Sequence, residues 1–204
     1  MIIKKSDKNS VSITSEILKK GGIVILPTDT VYGFSGITDS ADFNSEEKNK
    51  TLFETDKKIR EIKGRSESKP LIQLIAEPKD IFLYTDDKIP QSLLSKWPGS
   101  LSIIVHLKAE LPLAKKQPTV AFRCPGDEWL RKIISECNSP IFSTSVNRSG
   151  QPVLDEENKI CSEFEKDCDL IVLDGDKKNA CPSTLVSIEN DEIKILRQGT
   201  LIIK

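Results

Sequence analysis

Five separated stretches of this 204-residue chain place hydroxyls, amides or fixed positive charge at the ends of apolar runs. They are Pro27-Thr28-Asp29-Thr30; Lys63-Gly64-Arg65 with Lys69-Pro70-Leu71; Thr119-Val120-Ala121-Phe122-Arg123; Ser143-Thr144-Ser145-Val146-Asn147-Arg148-Ser149-Gly150; and Ser183-Thr184 with Arg197-Gln198-Gly199. Arg123 closes an apolar strand pattern, so its guanidinium must either be paired or read an anion. Ser143, Ser145 and Asn147 alternate, which puts all three on one face of an extended chain. Such groups at the end of a buried strand are costly unless partnered, and an Asx-type turn is the competing use for them. Lys63 and Arg65 follow a helix C-terminus, where the dipole alone favours cations. Taken together, Lys63, Arg65, Arg123 and Arg197 could neutralise phosphates. Thr30, Ser143, Ser145 and Ser183 could orient a small polar substrate. The chain has no Gly-x-x-x-x-Gly-Lys-Ser/Thr and no Gly-x-Gly-x-x-Gly, so a nucleotide would be held by side chains.

These groups need a scaffold. Gly21-Gly22-Ile23-Val24-Ile25-Leu26 reads as a buried strand, ended by Pro27, which removes a backbone donor. A second extended run follows over 31–36. Helices are expected over 10–20, capped by Ser10, and over 46–63, stopped by Gly64. Further helices are expected over 127–137 and 155–168, with short helical turns over 78–84 and 90–97. Strands are expected over 71–75, 101–107, 119–123, 140–143, 169–174, 183–188 and 192–197. Residues 39–49 and 110–118 read as loops. Several strands follow one another directly, which argues for an α/β fold with a mixed sheet rather than a strictly doubly wound one. No repeat, low-complexity run or long linker divides the chain, so one domain over 1–204 is expected.

Composition narrows the function classes. Lys plus Arg is 30 and Asp plus Glu is 31, a net charge of −1, where a nucleic-acid coat or polybasic anchor would be basic. No apolar run reaches the length of a membrane span or signal peptide, so a cytoplasmic protein is expected. Five cysteines without a Cys-x-x-Cys pair read as reduced, buried thiols. With a single His, a zinc site is disfavoured. That residue, His106, shares an apolar strand with Ser102 and Ile104 and reads as a core group.

The five stretches, joined by Val31-Tyr32-Gly33, Trp97-Pro98-Gly99, Cys124-Pro125 and Leu185-Val186, occur in the order seen in the YrdC/Sua5 family. The resemblance covers about residues 10–200 and lies in the combination of motifs. It implies a twisted mixed sheet with surrounding helices and a large open cavity. It implies synthesis of threonylcarbamoyl-AMP from L-threonine, bicarbonate or CO2, and ATP. That product serves threonylcarbamoyladenosine modification of tRNAs reading ANN codons, through a downstream threonylcarbamoyl transferase complex. Thr30, Arg123, Ser143 and Ser183 would contact threonine. Lys63, Arg65, Lys69, Thr119, Ser145, Asn147 and Arg197 would face ATP. Mg2+ would ride on the ATP phosphates with no protein ligand, and no dedicated nucleophile is needed. Lys69 and Leu74 stand where many members have Asn and His. The chain stops just after Arg197-Gln198-Gly199 and so resembles the short, single-domain branch. The 36–63 segment is longer than usual, with a charged patch over 44–50 that reads as a solvated insertion. The alternative readings are a paralogue with altered carbamoyl chemistry and an RNA-binding module. For the latter, tRNA or double-stranded RNA would be the ligand, but net charge and few aromatics argue against it.

Overall fold

A computed structural model describes residues 1–39, 43, 53–66, 70–189 and 192–203. Among the described residues, ten strands form one mixed sheet. They are β1 (Ile2–Lys4), β2 (Val24–Leu26), β3 (Gly33–Ser35), β4 (Ile72–Leu74), β5 (Leu101–His106), β6 (Thr119–Arg123), β7 (Ile141–Ser145), β8 (Leu170–Leu173), β9 (Thr184–Glu189) and β10 (Glu192–Arg197). Their order in space is β1-β8-β2-β3-β7-β4-β6-β5-β9-β10. β8 runs parallel to β1 and β2, β4 to β6, and β5 to β9. The remaining neighbours are antiparallel. The mixed sheet expected from directly successive strands is therefore present.

Around the sheet lie α1 (Ser10–Lys19), α2 (Thr55–Lys63), α3 (Gln91–Leu94), α4 (Glu128–Cys137) and α5 (Glu157–Phe164), with 3-10 turns at Pro78–Leu83 and Pro112–Lys115. The Asp127 carboxylate caps α4 by accepting from the Trp129 and Leu130 amides. α2 ends at Gly64, whose φ of +62° supplies the left-handed turn. The apolar sides pack into three clusters. One, under β4, α1 and α4, includes Leu18, Leu74, Leu130 and Ile133. Another fills the β5–β6 side with Ile103, Val105 and Phe122. The third holds Tyr32, Phe34, Ile59 and Phe164. Among the described residues no helix is long and apolar enough to cross a membrane.

The structure corrects several sequence expectations. Ser10 is the first residue of α1 and not its cap, because its hydroxyl donates to the Lys5 carbonyl at 2.7 Å. α2 begins only at Thr55, after Glu54 adopts a left-handed φ of +51°. The earlier part of the expected 46–63 helix lies largely outside the described residues, as do Lys69 and the 44–50 patch. α5 is shorter than 155–168, and β1 was not expected at all. His106 is no core group. It ends β5 with its side chain 68% exposed and Nδ1 3.2 Å from Asp87. All five cysteines are free, but only Cys124 and Cys137 are buried, while Cys181 is exposed.

Candidate functional site

β2 stops at Leu26, and the turn after it is built by its own side chains. Thr28 Oγ1 donates to the Val31 carbonyl at 2.8 Å and accepts from the Thr30 amide at 3.0 Å. This frees Asp29 to reach across to the end of β6. One carboxylate oxygen takes a bond from Arg123 Nη2 at 2.6 Å, and the other accepts from the Gly126 amide at 2.9 Å. Arg123 also donates from Nε to the Gly99 carbonyl at 3.0 Å and from Nη1 to Thr30 Oγ1 at 2.8 Å. Arg123 is only 5% exposed, and its guanidinium is held in a fixed plane by three bonds to two separate segments. Of its five N–H groups, two have no partner among these and remain for a ligand. Burial pulls its pKa down, and the Asp29 charge opposes that pull.

β3 and β7 run side by side, with Gly33 opposite Ser145. A Cβ on Gly33 would lie 3.0 Å from Ser143 Oγ, so the glycine leaves that hydroxyl room. Beyond β7, Ser145 Oγ donates to Asn147 Oδ1 at 2.8 Å. Lys63, at the end of α2, binds the same turn. Its Nζ donates to the Asn147 carbonyl and to Asn147 Oδ1, both at 2.9 Å, and to the Ser145 carbonyl. It also lies 5.4 Å from the centre of the Phe34 ring. Burial, and to a lesser degree Arg65, pull its pKa down to about 7.

At the far wall, Ser183 Oγ accepts from Arg197 Nη2 at 3.1 Å, and Arg197 Nε donates to the Ser183 carbonyl at 3.0 Å. The backbone folds closely here. A Cβ on Gly199 would sit 2.3 Å from the Pro182 carbonyl oxygen. Burial lowers the Arg197 pKa, and the positive charges of Arg123 and Arg65 lower it further. Arg65 is likewise lowered by burial and by Arg60.

These walls enclose a cavity of about 270 Å³. Thr30, Arg65, Thr119, Arg123, Ser143, Ser145, Ser183 and Arg197, all expected from the sequence, line it. Three guanidiniums face one hollow, and the charges of Arg123 and Arg65 bear on Arg197, so an anion there would relieve the repulsion. Two expected residues stand elsewhere. Lys63 and Asn147 lie behind the Ser145 wall, tied to each other. Leu74 is buried in the core and is not on this cavity's wall. Sequence reasoning missed the apolar floor of Ile104, Ala121 and Leu185. The signal was available. Thr119, Ala121 and Arg123 alternate along β6, and Ala121 pairs with Ile104, so one face carries them all. It also gave Asp29 no task.

A profile of the Sua5, YciO and YrdC proteins, described as "Telomere recombination", matches residues 16–199. The chain belongs to the Sua5/YciO/YrdC family. A relative from Methanocaldococcus jannaschii, whose name gives it threonylcarbamoyl-AMP synthase activity provisionally, is 30% identical over 93% of this chain and 87% of its own length. The threonylcarbamoyl-AMP synthase of Pyrococcus abyssi is 28% identical over 94% of this chain, which spans 54% of that protein. The solved structure of Pyrococcus abyssi Sua5 complexed with L-threonine superposes with a TM-score of 0.81 and 26% identity, covering 98% of this chain and 58% of that one. This chain thus has the Sua5/YciO/YrdC fold, a twisted mixed sheet with helices packed around it.

Proposed function

We propose that the chain is an L-threonylcarbamoyladenylate synthase, forming threonylcarbamoyl-AMP and pyrophosphate from L-threonine, bicarbonate or CO2, and ATP. The observation that carries this is the meeting of four hydroxyls, Thr30, Ser143, Ser145 and Ser183, with the guanidiniums of Arg65, Arg123 and Arg197 on one cavity. The names of the relatives supply the reaction.

In this reading the amine of threonine takes up CO2 to give a carbamate. A carbamate oxygen then attacks the α-phosphorus of ATP, and the bond to pyrophosphate breaks. Neither step needs a protein nucleophile. The chain's contribution is orientation and charge. Thr30, Arg123, Ser143 and Ser183 hold the amino acid, with Arg123 fixed by Asp29 before the ligand arrives. Arg65, Thr119, Ser145 and Arg197 face the nucleotide, and Lys69 assists at the phosphates. Lys63 and Asn147 serve the nucleotide indirectly, by holding the turn that presents Ser145. Mg2+ enters as part of the ATP substrate. Among the described residues no group of three or more His, Cys, Asp or Glu is placed to hold a metal. The product is an activated carbamoyl donor, so a transferase must carry it to tRNA.

The test is to incubate the pure protein with ATP, threonine and bicarbonate, omit each in turn, and follow pyrophosphate and the carbamoyl-adenylate by mass spectrometry. The expected result is product only when all three are present. Pyrophosphate release that ignores threonine would overturn the reading.

A further inference from the structure

Ser102 has no part in the scheme above, yet it stands directly behind it. It lies on β5, is fully buried and is not on the cavity wall. Its Oγ is 2.8 Å from Ser183 Oγ, its one hydrogen-bond partner among the described residues. A hydroxyl has one hydrogen and two lone pairs. If Ser183 donated to Ser102, the Ser102 hydrogen would point into packed interior with no acceptor, and a buried donor left unmade is costly. If Ser102 donates to Ser183, nothing is orphaned. Ser183 Oγ already accepts from Arg197 Nη2. Both of its lone pairs are then engaged, and its own hydrogen has only the cavity to turn to.

We infer that Ser102 is a positioning residue that fixes Ser183 as a hydrogen-bond donor facing the cavity, set to meet an oxygen acceptor of the amino-acid substrate. The ligand named here rests on the threonine reading given above. The polarity itself rests only on the hydrogen-bond count. An acceptor at this point, beside the Arg197 charge, is an oxyanion such as the amino acid's carboxylate. The same geometry disfavours an ammonium, which brings only donors.

Two measurements test it. In the unliganded protein, the Ser102 hydroxyl proton is expected to be protected from exchange and to cross-relax with the Ser183 β-protons by NMR. Finding instead that the protected proton belongs to Ser183 overturns the inference, whatever the ligand. Second, Ser102→Ala is expected to raise the calorimetric Kd for threonine about three- to tenfold, the worth of one orienting hydrogen bond. The ATP Kd should stay within about twofold, and Ser102→Thr should restore wild-type binding. In a Ser183→Ala background, Ser102→Ala should add nothing, because its only route to the ligand is gone. An undiminished effect in that background, or equal weakening of ATP and threonine, assigns Ser102 a merely structural role and overturns the inference. Wild-type protein that binds no threonine overturns the reading of the site and the ligand named here, while the hydroxyl measurement still decides the polarity.

Discussion

Asp29 and Arg123 show what a single pair can do for a site. The arginine is buried, and its counter-charge comes from a turn 94 residues earlier. Asp29→Asn keeps the shape but removes the charge, leaving a guanidinium in the interior without its acid. The expected cost is about 2–3 kcal/mol in urea unfolding, below that of a wholly buried pair because the Asp29 side chain is 21% exposed. The same variant should lose threonine affinity through the loosened Arg123. Unchanged stability would show that the ion pair is incidental. Lys63 makes a different prediction. Below pH 7 it is charged whether the chain is folded or not. Between about 7 and the ordinary lysine value of 10.5, the unfolded chain holds a proton that the folded one has released, so folding becomes more favourable as pH rises. Wild-type stability should therefore climb relative to Lys63→Met between pH 6.5 and 9. A flat difference would place the ammonium at its usual pKa. At this scale the sequence was a good guide to which residues matter and a poor guide to how. It could set Lys63 at a helix end and Asn147 on one face with Ser143 and Ser145. It could not show that they satisfy each other, because the bond joins residues 84 positions apart.

The elements were legible where a local signal exists and misread where tertiary contact decides. The helix expected over 127–137 is α4, with Asp127 as its cap and not its first residue, and Pro27 gave the end of β2. Ser10 looked like a cap by type, but the Lys5 carbonyl competes for its hydroxyl. His106 was given the right face with Ser102 and Ile104 but the wrong depth: β5 ends on it, and the strand's last position is exposed. β1 is three residues long, too short for a period to appear, and it exists because β8 offers it a parallel edge. The close approach at Gly199 is the element-scale feature most exposed to test. Gly199→Ala would push a Cβ against backbone of residues 182–184 and move the wall that holds Ser183 and Arg197. Expected is a loss of at least tenfold in kcat/KM for threonine, with β10 still formed by hydrogen exchange. Normal kinetics would mean that the wall can shift without harm.

Across the whole molecule, the sheet order explains why the cavity could be anticipated only by pattern. Its lining comes from both ends of the sequence, through strands that are distant in the chain but neighbours in the sheet, such as β7 beside β4 and β5 beside β9. Composition foretells none of those pairings. The overall charge does bear on ligands. With net charge −1, the three guanidiniums in the hollow are a local feature on an otherwise balanced surface. RNA affinity should therefore be weak and fall steeply between 50 and 200 mM salt, while ATP binding stays saturable. Tight, salt-resistant RNA binding would revive the RNA-module reading. The placement of Ser183 and Arg197 around the last two strands has one more consequence, for biosynthesis. A nascent chain whose residues beyond 180 are still inside the ribosome has already emerged with eight strands, yet it has only part of a hollow. Ligand can meet the full ring of groups only once the segment carrying Ser183 and Arg197 has left the ribosome and paired with β5.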